Sequence, residues 1–390
     1  MTPRVAIVVL DGVGVGAAHD AAAYGDTGSS TLAHVAAAMG GLSLPQLERL
    51  GLGRVTPLAG VEPVAAPDAA WGVLEPASAG KDSTTGHWEL AGVLLDRPFP
   101  TYPHGFPSEV VEAFARVTGR PVIGNVVASG TRVIEELGPE HQRTGAWILY
   151  TSADSVFQVA AHEAVVPLAE LYAACEAART LLQAPHDVSR VIARPFVGRP
   201  GAYVRTPHRR DFSLAPPGET LLDALAAAGV PRHGVGKVDD LFAGRAIAAE
   251  HPASNAEGIR AIATWLREAA GGLLFGNLVD FDQLYGHRND VAGFAGALRE
   301  LDAAMPDLLA ALREDDLLLI TADHGNDPTT ASTDHARERV PLLACGPAVR
   351  PVDLGVRATF ADVGATAAEW LDVPFRGRGT SLAPALRRSA

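Results

Sequence analysis

Short unbroken apolar runs alternate along this chain with stretches in which apolar residues recur every third or fourth position. Arg4 to Leu10 (R-V-A-I-V-V-L), Leu273 to Val279 and Leu317 to Thr321 are runs of the first kind. Continuous apolar character over so few residues predicts strands covered on both faces, as in a parallel sheet. Val340 to Ala344 is a further buried strand of this type. Between the second and third strands, Val291, Phe294, Leu298, Leu301, Met305, Leu308, Leu309 and Leu312 keep helical spacing behind Asp290 in an N-cap position. This predicts an amphipathic crossover helix, kinked at Pro306. The Ala-rich stretches Leu221 to Ala228 and Ala256 to Ala269 read as packing helices.

Each of the first three strands ends in acids: Asp11 after the first, Asp280 and Asp282 after the second, Asp323 with His324 after the third. Ligand sites of open α/β sheets lie outside the carboxyl ends of strands, so one mouth is expected to collect all three groups. His287, in V-D-F-D-Q-L-Y-G-H, and His335, in S-T-D-H, add imidazoles. Neutral imidazole and carboxylate are ligands for borderline and hard divalent ions, and two such ions can hold both the attacking and the leaving oxygen of a phosphoryl group. Taken one at a time, Asp282, Asp323 and Asp334 read as helix caps or Asx-turns. That reading gives no role to the three histidines beside them. The glycines of G-V-G-V-G miss the G-x-G-x-x-G spacing of a dinucleotide fold and follow a carboxylate that would crowd a pyrophosphate.

Gly80 to His87 (G-K-D-S-T-T-G-H) supplies hydroxyls. Ser83, Thr84 and Thr85 are expected as the N-cap cluster of a helix, where a phosphorylated hydroxyl would find favourable backbone N–H groups and a divalent ion would activate the alcohol.

From about Gly92 to about Leu214 the texture changes. Helix patterns (Ser108 to Val117, Pro167 to Leu182) mix with strands (Pro121 to Val127, Ala146 to Tyr150, Arg190 to Ala193), and the metal-ligand motifs flank the segment without entering it. The chain is therefore read as a split catalytic core, 1-91 and 215-390, carrying an inserted cap domain, 92-214.

With 390 residues, 47% hydrophobic and 20% charged, there is ample material for a large core or two domains. The formal charge of −13 argues against a nucleic-acid or membrane-surface binder, so an anionic substrate needs local cations. Cys175 and Cys345 stand in apolar contexts without C-x-x-C spacing and read as buried free thiols. No signal-like leader opens the chain and no apolar run approaches a membrane span, which leads us to expect a cytoplasmic protein.

Together the segments D-G-V-G-V-G, Y-G-D-T-G-S-S-T-L, G-K-D-S-T-T-G-H-W-E, T-S-A-D-S-V-F-Q-V-A-A-H-E, V-I-A-R-P-F-V-G, R-T-P-H-R-R-D-F, N-L-V-D-F-D-Q-L-Y-G-H-R and T-A-D-H-G-N-D-P-T-T-A-S-T-D-H resemble the phosphopentomutase family of the alkaline phosphatase superfamily, nearly end to end. The resemblance implies an α/β fold: an alkaline-phosphatase-like core with a mostly parallel central sheet and helices on both faces, plus an inserted α+β cap domain. It implies two divalent ions, manganese in the family, one held by Asp282, His287 and His335 and the other by Asp11, Asp323, His324 and the nucleophile. The family's nucleophile is a threonine at the position of Ser83; serine is chemically competent, and Thr84 is an adjacent competitor.

The implied reaction interconverts ribose 1-phosphate and ribose 5-phosphate, and their 2-deoxy forms, through a phosphorylated enzyme and a pentose bisphosphate, with a sugar bisphosphate as activator. Small phosphorylated pentoses are the only partners it implies. Arg190, Arg194, Arg205, Arg209 and Lys237 are the cations available to grip the remote phosphate, with Arg190, Arg205 and Lys237 preferred. By the same resemblance Ser152 and Asp154 would bond the ribose hydroxyls, while their local sequence reads equally as a loop Asx-turn. The competing readings are a cofactor-independent phosphoglycerate mutase, a metal-dependent phosphatase and a non-catalytic metal-binding scaffold.

Overall fold

Residues 3–152 and 154–388 are described by a computed structural model. They form two compact units, Met1–Arg97 with Pro216–Ala390, and Pro98–Ala215. The divisions fall at 97 and 215 where the change in sequence texture put them at 91 and 214. Backbone bonding explains the later first boundary: Ala79 N donates to Leu95 O at 2.8 Å, and Leu95 N to Ser78 Oγ at 3.2 Å, which ties the segment after residue 91 to the first unit.

In the first unit β1 (Arg4–Leu10), β2 (Ala70–Leu74), β9 (Arg232–Val235), β10 (Ala249–Glu250), β11 (Gly272–Leu278), β12 (Leu317–Thr321), β13 (Val340–Cys345) and β14 (Asp353–Arg357) make one sheet in the order β10-β9-β11-β1-β12-β13-β2-β14. β13 runs antiparallel to both neighbours, and the other described pairings are parallel. β1, β11 and β12 are buried at every position, as continuous apolar runs in a doubly covered sheet must be. Helices cover both faces. Thr31–Ala38, Pro45–Leu50, Asn255–Glu268 and Val291–Ala310 pack in one group, and Ser83–Leu90, Leu221–Ala227 and Ala361–Trp370 in another. Val291–Ala310 is one helix through Pro306, started by Asp290 accepting from Gly293 N at 2.8 Å.

The register of the three central strands places the site. Leu10 pairs with Leu278 and Val9 with Thr321, so Asp11, the turn after β11, and Asp323 all emerge at one edge. The opposite end of β1 is fixed by a buried ion pair: Arg4 Nε donates to both Asp316 oxygens, at 3.1 and 3.0 Å, and the guanidinium also bonds Leu266 O and Ala311 O. Each nitrogen of this buried guanidinium has an acceptor, which is what makes its burial tolerable.

In the second unit β3 (Val122–Val127), β4 (Trp147–Thr151), β5 (Val156–His162), β6 (Arg190–Val197) and β7 (Val204–Arg205) lie in that order, and β8 (Arg210–Ser213) also pairs with β6. Alternate residues of β4 face opposite ways. Trp147 and Leu149 join a core with Phe106, Phe114, Phe157 and Cys175, whereas Ile148 and Tyr150 join Val133, Ile134 and Phe196 beneath helix Gly130–Thr144. Cys175 and Cys345 are free and buried, and burial pushes the Cys345 thiol up to about 12. Among the described residues no helix is long and apolar enough to cross a membrane.

Candidate metal centre

Asp11, Asp282, Asp323 and His324 are buried at the carboxyl edge of β1, β11 and β12, where the strand ends were expected to deliver them. Asp282 lies in a π-helical turn, Phe281–Tyr285, that runs on into a 3-10 turn, Gly286–Arg288, carrying His287. Such turns occur largely as single irregular windings at functional sites. His335 is brought in by a backbone bridge between Gly325 and Ala336, with N–H to O distances of 3.0 and 2.7 Å, which sets the His324 and His335 ring centroids 4.1 Å apart.

Two sets of donors result. In the first, His287 Nε2 stands 3.1 Å from Asp282 Oδ2 and His335 Nε2 3.3 Å from Asp282 Oδ1. In the second, His324 Nε2 stands 3.3 Å from Asp11 Oδ1 and 3.4 Å from Asp323 Oδ2. Asp282, His287 and His335 keep their ligand atoms within 4.8 Å of one another, and so do Asp11, Asp282 and His324, so Asp282 belongs to both sets. Asp11 Oδ2, Asp323 Oδ2 and His335 Nε2 are shielded from solvent, and their near contacts are other groups of the site: Lys237 Nζ at 2.7 Å, His87 Nδ1 at 3.1 Å and Asp282 Oδ1 at 3.3 Å. Carboxylates and imidazoles crowded together out of water keep lone pairs that a cation can use. Imidazole nitrogens and carboxylate oxygens at these separations fit divalent cations.

The electrostatics point the same way. Burial works against a charged His324, but Asp323, the bond to Asp11 and Asp282 outweigh it and push the imidazole up to about 10. Burial likewise opposes ionised Asp282, while the charge of His335 and the bonds from His287 and His335 hold it well below the usual carboxylate range. Lys237 is raised too, with Asp11, Asp282 and Asp323 overcoming its desolvation. Carboxylates packed this closely draw in positive charge, as protons or as metal ions, and coordination takes the imidazoles in their neutral form.

Ser83 opens helix Ser83–Leu90. The expected hydroxyl cap is corrected here: the N-cap is Asp82, which accepts from Thr85 N at 3.0 Å and Thr85 Oγ1 at 2.6 Å, leaving Ser83 to Thr85 in the first turn. A carboxylate is at home beside the positive end of a helix, and capping from Asp82 leaves the Ser83 side chain free for other partners. Ser83 Oγ stands 3.1 Å from His324 Nε2, 3.4 Å from Asp11 Oδ1 and 3.3 Å from Lys237 Nζ. Gly86 permits this approach, since a Cβ there would lie 2.1 Å from Asp323 O.

Lys237 Nζ also lies 2.7 Å from Asp11 Oδ2, which puts this lysine beside the hydroxyl. Ser152, Asp154, Arg190 and Arg205 belong to the second unit. Ser152 Oγ donates to Asp154 Oδ2 at 3.4 Å; Ala153 between them lies outside the described residues. Arg190 Nη1 is 3.5 Å from Asp211 Oδ2, and Arg205 is exposed on β7. Tyr150 feels the charges of Arg194, Arg205 and Arg209, although burial raises its hydroxyl pKa overall.

Sequence reasoning gave no separate role to several residues that support the site. Asn326 Nδ2 donates to Asp282 Oδ1 at 2.7 Å, and Gly12 N to Asp323 Oδ1 at 3.1 Å. Buried Arg337 bonds the carbonyls of Pro76, Ser78 and Gly80, ahead of the Ser83 helix. Asn326 lies within T-A-D-H-G-N-D; Arg337 carries no signal beyond its nearness to His335.

A buried hydroxyl among two sets of metal donors at the carboxyl edge of a doubly covered sheet defines a metalloenzyme of the alkaline phosphatase type. The model of the Metalloenzyme superfamily matches residues 223–374. A structure of Leishmania mexicana phosphoglycerate mutase shares the fold, with a TM-score of 0.50 and 13% identity over 98% of this chain and 97% of that one. The chain is 58% identical to a phosphopentomutase of Anaeromyxobacter sp. (strain K), over 96% of each, and 55% identical to one of Dictyoglomus thermophilum, over 97% of each. A third, from Caldanaerobacter subterraneus subsp. tengcongensis, is 53% identical over 98% of each. The chain belongs to the phosphopentomutase family, and it is an isomerase of the phosphotransferase kind.

Proposed function

We propose that this chain interconverts ribose 1-phosphate and ribose 5-phosphate, and their 2-deoxy forms, by passing phosphate through Ser83. Phosphorylated Ser83 gives its phosphate to O5 of ribose 1-phosphate, forming the 1,5-bisphosphate; the 1-phosphate then returns to Ser83 and ribose 5-phosphate leaves. A sugar bisphosphate primes the resting hydroxyl. The observation that carries this reading is the setting of Ser83 Oγ, within 3.4 Å of His324, Asp11 and Lys237 at the first turn of a helix.

Asp282, His287 and His335 would hold one divalent ion, and Asp11, Asp323, His324 and Ser83 the other, with manganese the ion we favour. When bound, such ions neutralise the transferring group's charge and lower the hydroxyl's pKa. The chain's own groups do the rest. The first-turn backbone N–H groups favour the anion that Ser83 becomes. Lys237, held cationic by the surrounding carboxylates, offers a third positive group beside Ser83 and Asp11. The insert, 92-214 by sequence, is proposed as a cap that excludes water, with Arg190 and Arg205 on the remote phosphate and Ser152 and Asp154 on the ribose hydroxyls. A cytoplasmic address goes with soluble phosphosugar substrates.

Coupling ribose 5-phosphate formation to a reporter tests the proposal directly. Ribose 1-phosphate should be converted with no free phosphate released. Phosphate without isomer would make the protein a phosphatase, turnover of a phosphoglycerate alone would make it the glycerate mutase, and no product would leave a metal-binding scaffold.

A further inference from the structure

His87 closes the G-K-D-S-T-T-G-H segment and is fully buried, as is Asn277 on β11. A polar side chain inside the apolar strand G-L-L-F-G-N-L costs stability unless it is bonded, so its partner is informative. Asn277 Nδ2 lies 2.8 Å from His87 Nε2. An amide nitrogen only donates, so Nε2 is the acceptor and the proton of the neutral ring sits on Nδ1. Nδ1 in turn lies 2.9 Å from Ser83 O and 3.1 Å from Asp323 Oδ2. Phe275 stacks on the imidazole, with centroids 5.7 Å apart and planes at 21°, and holds the plane of the ring.

We propose that His87 is a positioning residue, fixed by Asn277 as its Nδ1–H tautomer, which sets the nucleophile's backbone against the Asp323 carboxylate. The two groups it joins come from separate elements, the first turn of helix Ser83–Leu90 and the loop after β12. The missing Cβ of Gly86 lets the helix backbone reach Asp323, and His87 sets the separation one residue later. The role rests on Ser83 as nucleophile and Asp323 as a ligand; the tautomer does not.

The test has two arms. In ¹⁵N-histidine NMR, the signal pair lost in His87→Gln should belong to a neutral ring protonated at Nδ1. A ring protonated only at Nε2 would overturn the proposal. In kinetics, Asn277→Asp replaces the donor by an acceptor of equal size and should lower kcat about 10–100-fold with KM for ribose 1-phosphate little changed, the range usual for outer-shell partners. His87→Asn, whose amide N–H can occupy the place of Nδ1–H, should retain more kcat than His87→Gln, whose amide falls near Nε2. Equal loss in both, or full kcat in Asn277→Asp, would refute the role. Phosphate mapped to a residue other than Ser83 would remove the role while leaving the tautomer assignment intact.

Discussion

The strand mouth of the first unit and the arginine group of the second handle charge in opposite ways. At the mouth Asp11, Asp282, Asp323 and His324 are buried beside Lys237, held in place by β1, β11, β12 and the turns after them. In the second unit Arg209 makes paired bonds to Asp211, both 2.7 Å, Arg190 leans on the same carboxylate, and Arg205 is exposed. Burial lowers the pKa of Arg194, and Arg209 adds to the effect. The first arrangement crowds ligand-type atoms against one another out of solvent, whereas the second pairs some of its charges and leaves Arg205 exposed. The first is fixed by folding; the second is proposed to meet the substrate's remote phosphate. Changes at the mouth should therefore cost chemistry, and changes among the arginines should cost binding.

The largest expected effect is that of Ser83→Ala. In the coupled assay turnover should fall on the order of 10⁴-fold or more, as for loss of other nucleophiles, with metal content near normal. Asp323→Asn should release metal and lower turnover together, by about 100-fold or more, at or beyond the upper end for outer-shell partners. Metal analysis after gel filtration checks it, and unchanged stoichiometry would take Asp323 out of the ligand set.

Glu338 gives a pH-dependent contrast behind the same mouth. Burial pushes its carboxyl up to about 7, outweighing the bonds from Thr31 N, Thr31 Oγ1 and Gly16 N, which favour the anion. A raised acid stabilises the fold fully below its unfolded value of 4.5, and the contribution is lost as pH rises through about 7. Glu338→Gln should remove about 2–3 kcal/mol of that fall, read as the difference in urea unfolding free energy between pH 4.5 and pH 8. Equal falls in both proteins would contradict the assignment.

The smallest effect is expected in the second unit. Arg190→Ala should raise KM for ribose 1-phosphate roughly 10-fold, the value of one charge-assisted hydrogen bond, and change kcat less. A larger loss in kcat than in KM would place Arg190 with the reacting group instead.

What the sequence made legible follows the same division. Arg4–Leu10 and Leu317–Thr321 were read to the residue, because strands buried on both faces leave an unbroken apolar signature and their acids follow at once. Val156–His162 carries no unbroken apolar signature: Gln158 interrupts the run, and its partner, Arg194, lies 36 residues on. Helix Gly130–Thr144 carries a mid-sequence Pro139 and buries only Val133, Ile134, Gly138 and His141, so few large apolar residues mark it. The cap of the Ser83 helix was misplaced by one residue because Asp82 and the hydroxyls after it are all good capping types. Asn277 and Arg337 carry no local signal, since their partners lie far away in the chain.

The most direct measurement is phosphopeptide mapping by mass spectrometry after incubation with a pentose bisphosphate and Mn²⁺. If the mouth is a phosphoryl-transfer site built around Ser83, the protein gains one phosphate, carried by Ser83. A label on Thr84 or Thr85, or no label while isomerisation proceeds, would contradict it.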